Sequence, residues 1–247
     1  MAAAIPGIVL AALIRLCVPE PRRGPSFGRP RPSESFAASL RMLMRKRAFG
    51  FVLAGICIST IFTSAVSLFL PSFMLRSLHA NERQINTTWG ISVAAADLVG
   101  ALLGGWLAGV LGKRDIRWYA WLPALSSALA VPLYWLALSA AGFSQFLVGN
   151  TMAEIVLSIA PPAVFCAMHE VCGGSRRATA IAVWQFSNMA IGYGLGPLIT
   201  GIVSDALDVR FGRDGLRYSL AVMVMFLVPA VLAYQFGGKH LAREVEA

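Results

Sequence analysis

Six apolar runs, each long enough to cross a lipid bilayer, follow one another along this chain and constrain its fold more than any other feature. They cover 49–75, 89–112, 118–140, 144–168, 178–204 and 217–236, with a shorter run at 1–18. A helix rises 1.5 Å per residue, so about 20 apolar residues span the hydrocarbon core. The runs are continuous instead of alternating over about ten residues, which points to helices and not to a closed barrel. Only 13% of the residues are charged and 57% are hydrophobic, against roughly 25% charged in a soluble domain. The expected fold is therefore all-α and integral to the membrane: six complete transmembrane helices plus an N-terminal partial helix. The opening stretch MAAAIPGIVLAALIRLCV lacks the basic start and the small-residue cleavage site of a secretory signal. It reads as the end of a truncated span.

The net charge of +9 raises the question of nucleic acid, but where the charges lie matters more than their sum. With the first run leading inward, the inner segments 15–47, 113–117, 169–177 and 237–247 hold 16 of the 21 Lys and Arg residues. Such an excess marks the cytoplasmic side. It puts the C-terminus in the cytoplasm of a multi-pass protein of the inner (plasma) membrane, and the basic residues act as topology determinants. The expected partner is the bilayer and not nucleic acid. Cys17, Cys57, Cys166 and Cys172 show no clustered spacing, so neither a disulfide framework nor a metal site is indicated. No cofactor is expected.

The expected organisation is a partial span at 1–18, a basic cytoplasmic linker at 19–48, a six-helix body at 49–236 and a cytoplasmic tail at 237–247. Within the linker, residues from Ser35 onward fit a short basic helix on the membrane face as well as they fit a solvated chain. Elsewhere the connections are short, so consecutive spans are antiparallel neighbours. Pro132, Pro161, Pro162, Pro197 and Pro229 lie inside spans and are expected to kink or unwind them.

Two carboxyls fall well inside spans, Asp97 and Glu154. A charge at that depth costs about 2.5–3.5 kcal/mol on insertion scales, and such residues face a bundle interior or a wet cavity. Gly100, Gly104, Ala108 and Gly112 form an i, i+4 stripe beside Asp97, which predicts a close helix–helix seam. Glu154 shares its face with Asn150, Thr151, Ser158 and Pro161, a polar and kinked wall. Thr60, Thr63, Ser64 and Ser67 make a stripe on the first span; Gln185, Asn188 and Gly192 make another on the fifth. Together these stripes predict a polar cavity, although a hydroxyl in a membrane helix often bonds its own preceding turn instead. Glu154 is the stronger candidate for chemistry, and Asp97 for the seam at the edge of the path. His169 and Glu170 at the end of the fourth span read as a solvated pair.

GGWLAGVLGKRD, 104–115, resembles the loop motif of the major facilitator superfamily in the copy between its eighth and ninth helices. Gly104, Gly105, Leu107, Ala108, Leu111, Gly112, Lys113 and Arg114 match the motif. Gly109 and Val110 replace its central charged pair. GYGLGPLITGIVSDAL, 192–207, with Gly192, Gly194, Gly196 and Pro197, is similar to the eleventh helix of the spinster-like branch. LFLPSFMLRSLHA, 68–80, and residues 2–24 resemble the ends of the seventh and sixth helices.

This resemblance implies the C-terminal half of the family fold, from the tail of helix six to helix twelve. It also implies a secondary transporter and not an enzyme: alternating access, a site at the midplane, a lipid-like or amphiphilic organic solute and proton coupling. The path candidates are then Glu154, Asp97, Asn150, Thr60, Ser64, Gln185 and Asn188, and the partner is a separately encoded first half. Two other readings stay open: a non-functional fragment of a transporter gene, and a membrane enzyme using Glu154 and Asp97. The enzyme reading is weakened because His169 lies about 22 Å along the helix from Glu154.

Overall fold

The computed structural model describes residues 35–245, together with Val9, Ala12, Leu13 and 15–17, the side chains of 173–175, 213 and 245 excepted. Two units separate, 1–35 and 36–247. Val9, Ala12, Leu13 and 15–17 of the first are helical and exposed; the expected partial span at 1–18 and the linker up to residue 34 lie otherwise outside the described residues.

The second unit is built of helices α1 (Phe36–Arg45), α2 (Arg47–Ser77), α3 (Gly90–Leu111), α4 (Trp118–Leu138), α5 (Phe143–Leu157), α6 (Ala160–Ser187), α7 (Gly194–Phe211), α8 (Gly215–Val224) and α9 (Leu227–Val245). Among the described residues six helical stretches are long and apolar enough to cross a membrane: Arg47–Ser77, Gln84–Leu111, Trp118–Leu138, Phe143–Cys172, Arg176–Phe211 and Gly215–Glu244. They coincide with the six apolar runs of the sequence.

Proline sets where these spans break. Pro161 and Pro162 have no N–H to give to the carbonyls four residues back, and α5 ends at Leu157 while α6 begins at Ala160. The junction is closed by the tighter bond from the Ile159 N–H to the Val156 carbonyl, 3.3 Å. Pro229 acts alike: α8 gives way to α9 across Met225 and Phe226, and the Val228 N–H bonds to Met225 O at 3.1 Å. Pro197 follows a π-helical turn, Asn188–Tyr193. Pro132 and Pro197 lie inside helices, and α4 runs through Pro132 unbroken.

Of the two readings of the linker's end the helical one is found: residues 36–45 form α1, and Lys46 Nζ bonds to the Val171 carbonyl at 2.7 Å. Two connections differ from the sequence reading. Residues 169–177, expected as a loop, stay helical within α6. Yet the Phe165 and Trp184 rings stand 4.4 Å apart, where nineteen residues of straight helix would part them by about 28 Å, so the chain reverses inside this helix. The expected tail at 237–247 continues α9 to Val245. Gly237 and Gly238 let it lie against Val52 of α2 and Trp121 of α4.

The spans pack around two main clusters of buried side chains. Phe62, Phe73, Tyr134, Phe146 and Met223 fill one end; Phe49, Val52, Met168, Tyr234 and Leu241 fill the other. In a bilayer apolar burial does not drive helices together, so close packing must. Small residues supply it: the α2 backbone at Gly55 meets the Tyr234 ring, and Gly100 and Gly104 of α3 sit on the Ile155 and Ile159 carbonyls. The second and fifth spans are the least buried of the six.

Candidate functional site

Two adjoining cavities lie within the bundle. The first, about 260 Å³, takes Thr63 and Ser67 from α2, Asp97 from α3, Tyr134 from α4, Glu154 and Ser158 from the fourth span, and Tyr193 from the fifth. The second, about 170 Å³, is bounded by Ser59, Thr60, Trp184, Asn188 and Tyr234 and is mostly apolar. Thr63, Leu157 and Pro161 belong to both walls.

The proline break brings the two carboxyls to one cavity. Where α5 stops, the Ser158 hydroxyl donates to Asp97 Oδ1 at 2.6 Å, tying the fourth span to the second. Gly100 and Gly104, one and two turns further along α3, continue this seam against Ile155 and Ile159. Asp97 is thus at the edge of the seam and exposed, while Glu154 is half-buried on the cavity wall. Tyr134 is 2% exposed, and its hydroxyl makes no hydrogen bond of standard geometry. No Lys, Arg or His lines this cavity among the described residues.

The polar stripes divide between cavity and packing. The Thr60 hydroxyl donates to Asn188 Oδ1 at 2.5 Å, bridging the first and fifth spans beside the second cavity. Ser64 turns away: its hydroxyl bonds to the Ile61 and Gly192 carbonyls at 3.1 and 3.0 Å. It holds a seam where Gly192 meets Thr60 and Gly196 meets Ser64. Thr63 and Ser67 bond back to the carbonyls of Thr60 and Ser64.

Asn150 does not reach either cavity; it is fully buried with both amide atoms unpartnered. Gln185 is exposed and lines neither. In the loop motif, Gly104 and Gly112 have close neighbours, whereas Gly105 and Gly109 face open space. Lys113 and Arg114 are exposed. In the helix-eleven motif Gly194 is exposed and caps the π-helical turn, and Pro197 lies inside α7.

Sequence reasoning missed the aromatic part of the wall. Trp89, Tyr134 and Tyr193 line the first cavity, yet in an apolar run an aromatic carries no periodic mark that separates lining from core. His169 does not line the cavity, and no group of three metal-ligating side chains occurs among the described residues. A wider cleft of about 600 Å³ opens beyond the span ends, beside Arg76, His79 and Asp208, all of them exposed.

Fold and site together define a polytopic helical membrane protein with a carboxyl-bearing cavity among its spans. The sequence model of the Major Facilitator Superfamily matches residues 52–243, and the chain belongs to that family. It is 27% identical to an MFS-type efflux pump of Mycolicibacterium smegmatis (strain ATCC 700084 / mc(2)155), over 96% of this chain and 55% of that protein. Two crystal structures of a bacterial homolog of the human lysosomal transporter Spinster share its fold. The inward-facing unoccupied form gives a TM-score of 0.77 at 22% identity, over 97% of this chain and 58% of that one. The inward-facing occupied form gives 0.74 at 24%, over 97% and 57%. The chain thus carries half of a major facilitator fold and spans about half the length of the relatives it matches.

Proposed function

We propose that this chain forms the C-terminal half of a secondary active transporter, moving a lipid-like or amphiphilic organic solute by alternating access against the N-terminal half of the fold. The observation that carries this reading is the cavity between the spans, where Asp97, Ser158 and Glu154 meet within a half-fold of the family. Major facilitator folds place their site near the midplane between repeats. A central carboxyl is the residue type expected to bind solute or proton there, and the proton is the candidate coupling ion. The exposed apolar residues of the least buried spans, Leu98, Leu102 and Trp106 on α3 and Phe186, Leu198 and Ile202 on the fifth span, offer the faces against which the other half would close. The protein would reside in the inner (plasma) membrane with its C-terminus in the cytoplasm.

The test is proton-gradient-driven uptake of a fluorescent lysolipid into vesicles. Three samples are compared: the chain alone, the chain co-expressed with a matching first half, and that pair carrying Glu154→Gln. Uptake is expected only in the paired sample, with a loss of about tenfold or more in the variant, equivalent to about 1.4 kcal/mol of barrier. Uptake by the chain alone contradicts the half-transporter reading. Absence of uptake from every sample contradicts the assigned solute class and favours a non-functional fragment.

A further inference from the structure

We infer that the Asp97–Glu154 cavity receives the cationic head of an amphiphile, an alkylammonium or arylammonium group, while the head's apolar continuation enters the adjoining cavity. This rests on the transporter reading above and specifies its solute.

The charge balance of the cavity is the first ground. Two carboxyls line it, and among the described residues no Lys, Arg or His does. Asp97 accepts a hydroxyl bond from Ser158, and a carboxylate has acceptor sites for several more partners. An anionic or neutral head would leave these groups without a counter-charge at a depth where charge is costly, whereas a cation supplies it.

The walls supply the second ground. Trp89, Tyr134 and Tyr193 surround the carboxyls, and aromatic faces attract quaternary and protonated ammonium groups through the ring quadrupole. Tyr134 is 2% exposed and sits on this wall with its hydroxyl beside the Glu154 carboxyl.

Size and polarity of the two cavities give the third. At about 260 Å³ the first is smaller than the roughly 300–1,000 Å³ of pockets that hold whole drug-sized ligands. It suits a head group. The neighbouring space of about 170 Å³ meets it across Thr63, Leu157 and Pro161 and is lined chiefly by apolar atoms. Charge at one end and hydrocarbon at the other match an amphiphile laid across the shared wall.

The test measures binding and not transport. The full chain, purified in lipid nanodiscs, is titrated with benzyltrimethylammonium, its uncharged isostere neopentylbenzene and the anion phenylmethanesulfonate, with empty nanodiscs as the blank. Ligand-detected NMR reads binding. The cation is expected to bind about tenfold or more tightly than the neutral isostere, and the anion not at all. The double variant Asp97→Asn, Glu154→Gln should bring cation and neutral isostere to within about threefold, while Asp208→Asn, outside the cavity, leaves the preference intact.

Equal binding of cation and neutral isostere in the unaltered chain overturns the inference without recourse to any variant. So does a preference that survives the double substitution, or binding of none of the three probes. Lysolipid uptake by the paired halves alongside equal binding would sink this inference and leave the transporter reading standing. Selective cation binding without uptake by any sample would do the reverse.

Discussion

At the residue scale the seam between α3 and the fourth span is set by single missing side chains. A Cβ at Gly104 would run into the Ile159 carbonyl, and one at Gly100 into the Ile155 carbonyl; backbone cannot yield as a flexible side chain can. Gly104→Ala should therefore destabilise the bundle by about 1–3 kcal/mol, the usual cost of overpacking, with Gly104→Leu worse. Gly109→Ala, which faces open space on the same helix, should be neutral or gain up to about 1 kcal/mol from helix propensity. Thermal unfolding in detergent separates the two, and equal melting would remove the seam from the account. Likewise Gly192→Ala drives a methyl into the Thr60 side chain and should weaken the bond between Thr60 and Asn188, seen as a lower melting temperature than that of Gly201→Ala, where space is open. The stripe of small residues in the sequence revealed that α3 approaches another helix closely. Its partner was not legible, because a stripe names one surface only. Nor could spacing separate Ser64, which seals a seam, from Thr63 one residue before it, which lines both cavities.

The helices were placed well by apolar runs alone, and prolines marked two of the breaks that matter. A break gains its function from position: the one before Pro161 frees Ser158 to cross to Asp97. What the runs could not show is helical structure beyond the apolar stretch, as in the last residues of α9, because hydropathy falls there while hydrogen bonding continues. The end of α9 has a role that composition hides. The Glu244 carboxylate accepts from the Arg47 N–H at 2.9 Å and the Ala48 N–H at 3.2 Å, capping the start of α2. An anion at a helix N-terminus stabilises by about 0.3–1 kcal/mol. Glu244→Gln should accordingly speed amide hydrogen exchange at Arg47 and Ala48 without changing exchange in α5. Unchanged exchange at those two amides would show the cap to be immaterial. The Asn81–Gln84 pair, bonded reciprocally at 2.8 and 2.9 Å, performs the same service for the second span and is the S/T/N-x-x-E/Q pattern visible in sequence.

On the scale of the whole molecule, membership in the Major Facilitator Superfamily and the half-length match to its relatives frame everything else. The sequence conveyed the class, the six spans and both carboxyls, since length, composition and loop motif are local properties. Which polar residues converge is a property of tertiary packing: Asn150 and Gln185 stand apart from the cavities, while Tyr134, Trp89 and Tyr193 enter them. The proposed solute path runs through the space between Asp97 and Glu154. Substituted-cysteine labelling tests it most directly, in a background where Cys17, Cys57, Cys166 and Cys172 are replaced and the matching first half is present. Ser67→Cys, on the cavity wall, should react with a membrane-impermeant maleimide and be shielded by transported solute. Leu125→Cys, 50% exposed on α4 away from both cavities, should show no such shielding. Labelling at Ser67→Cys that is indifferent to solute, or shielding equal at both positions, would contradict the claim.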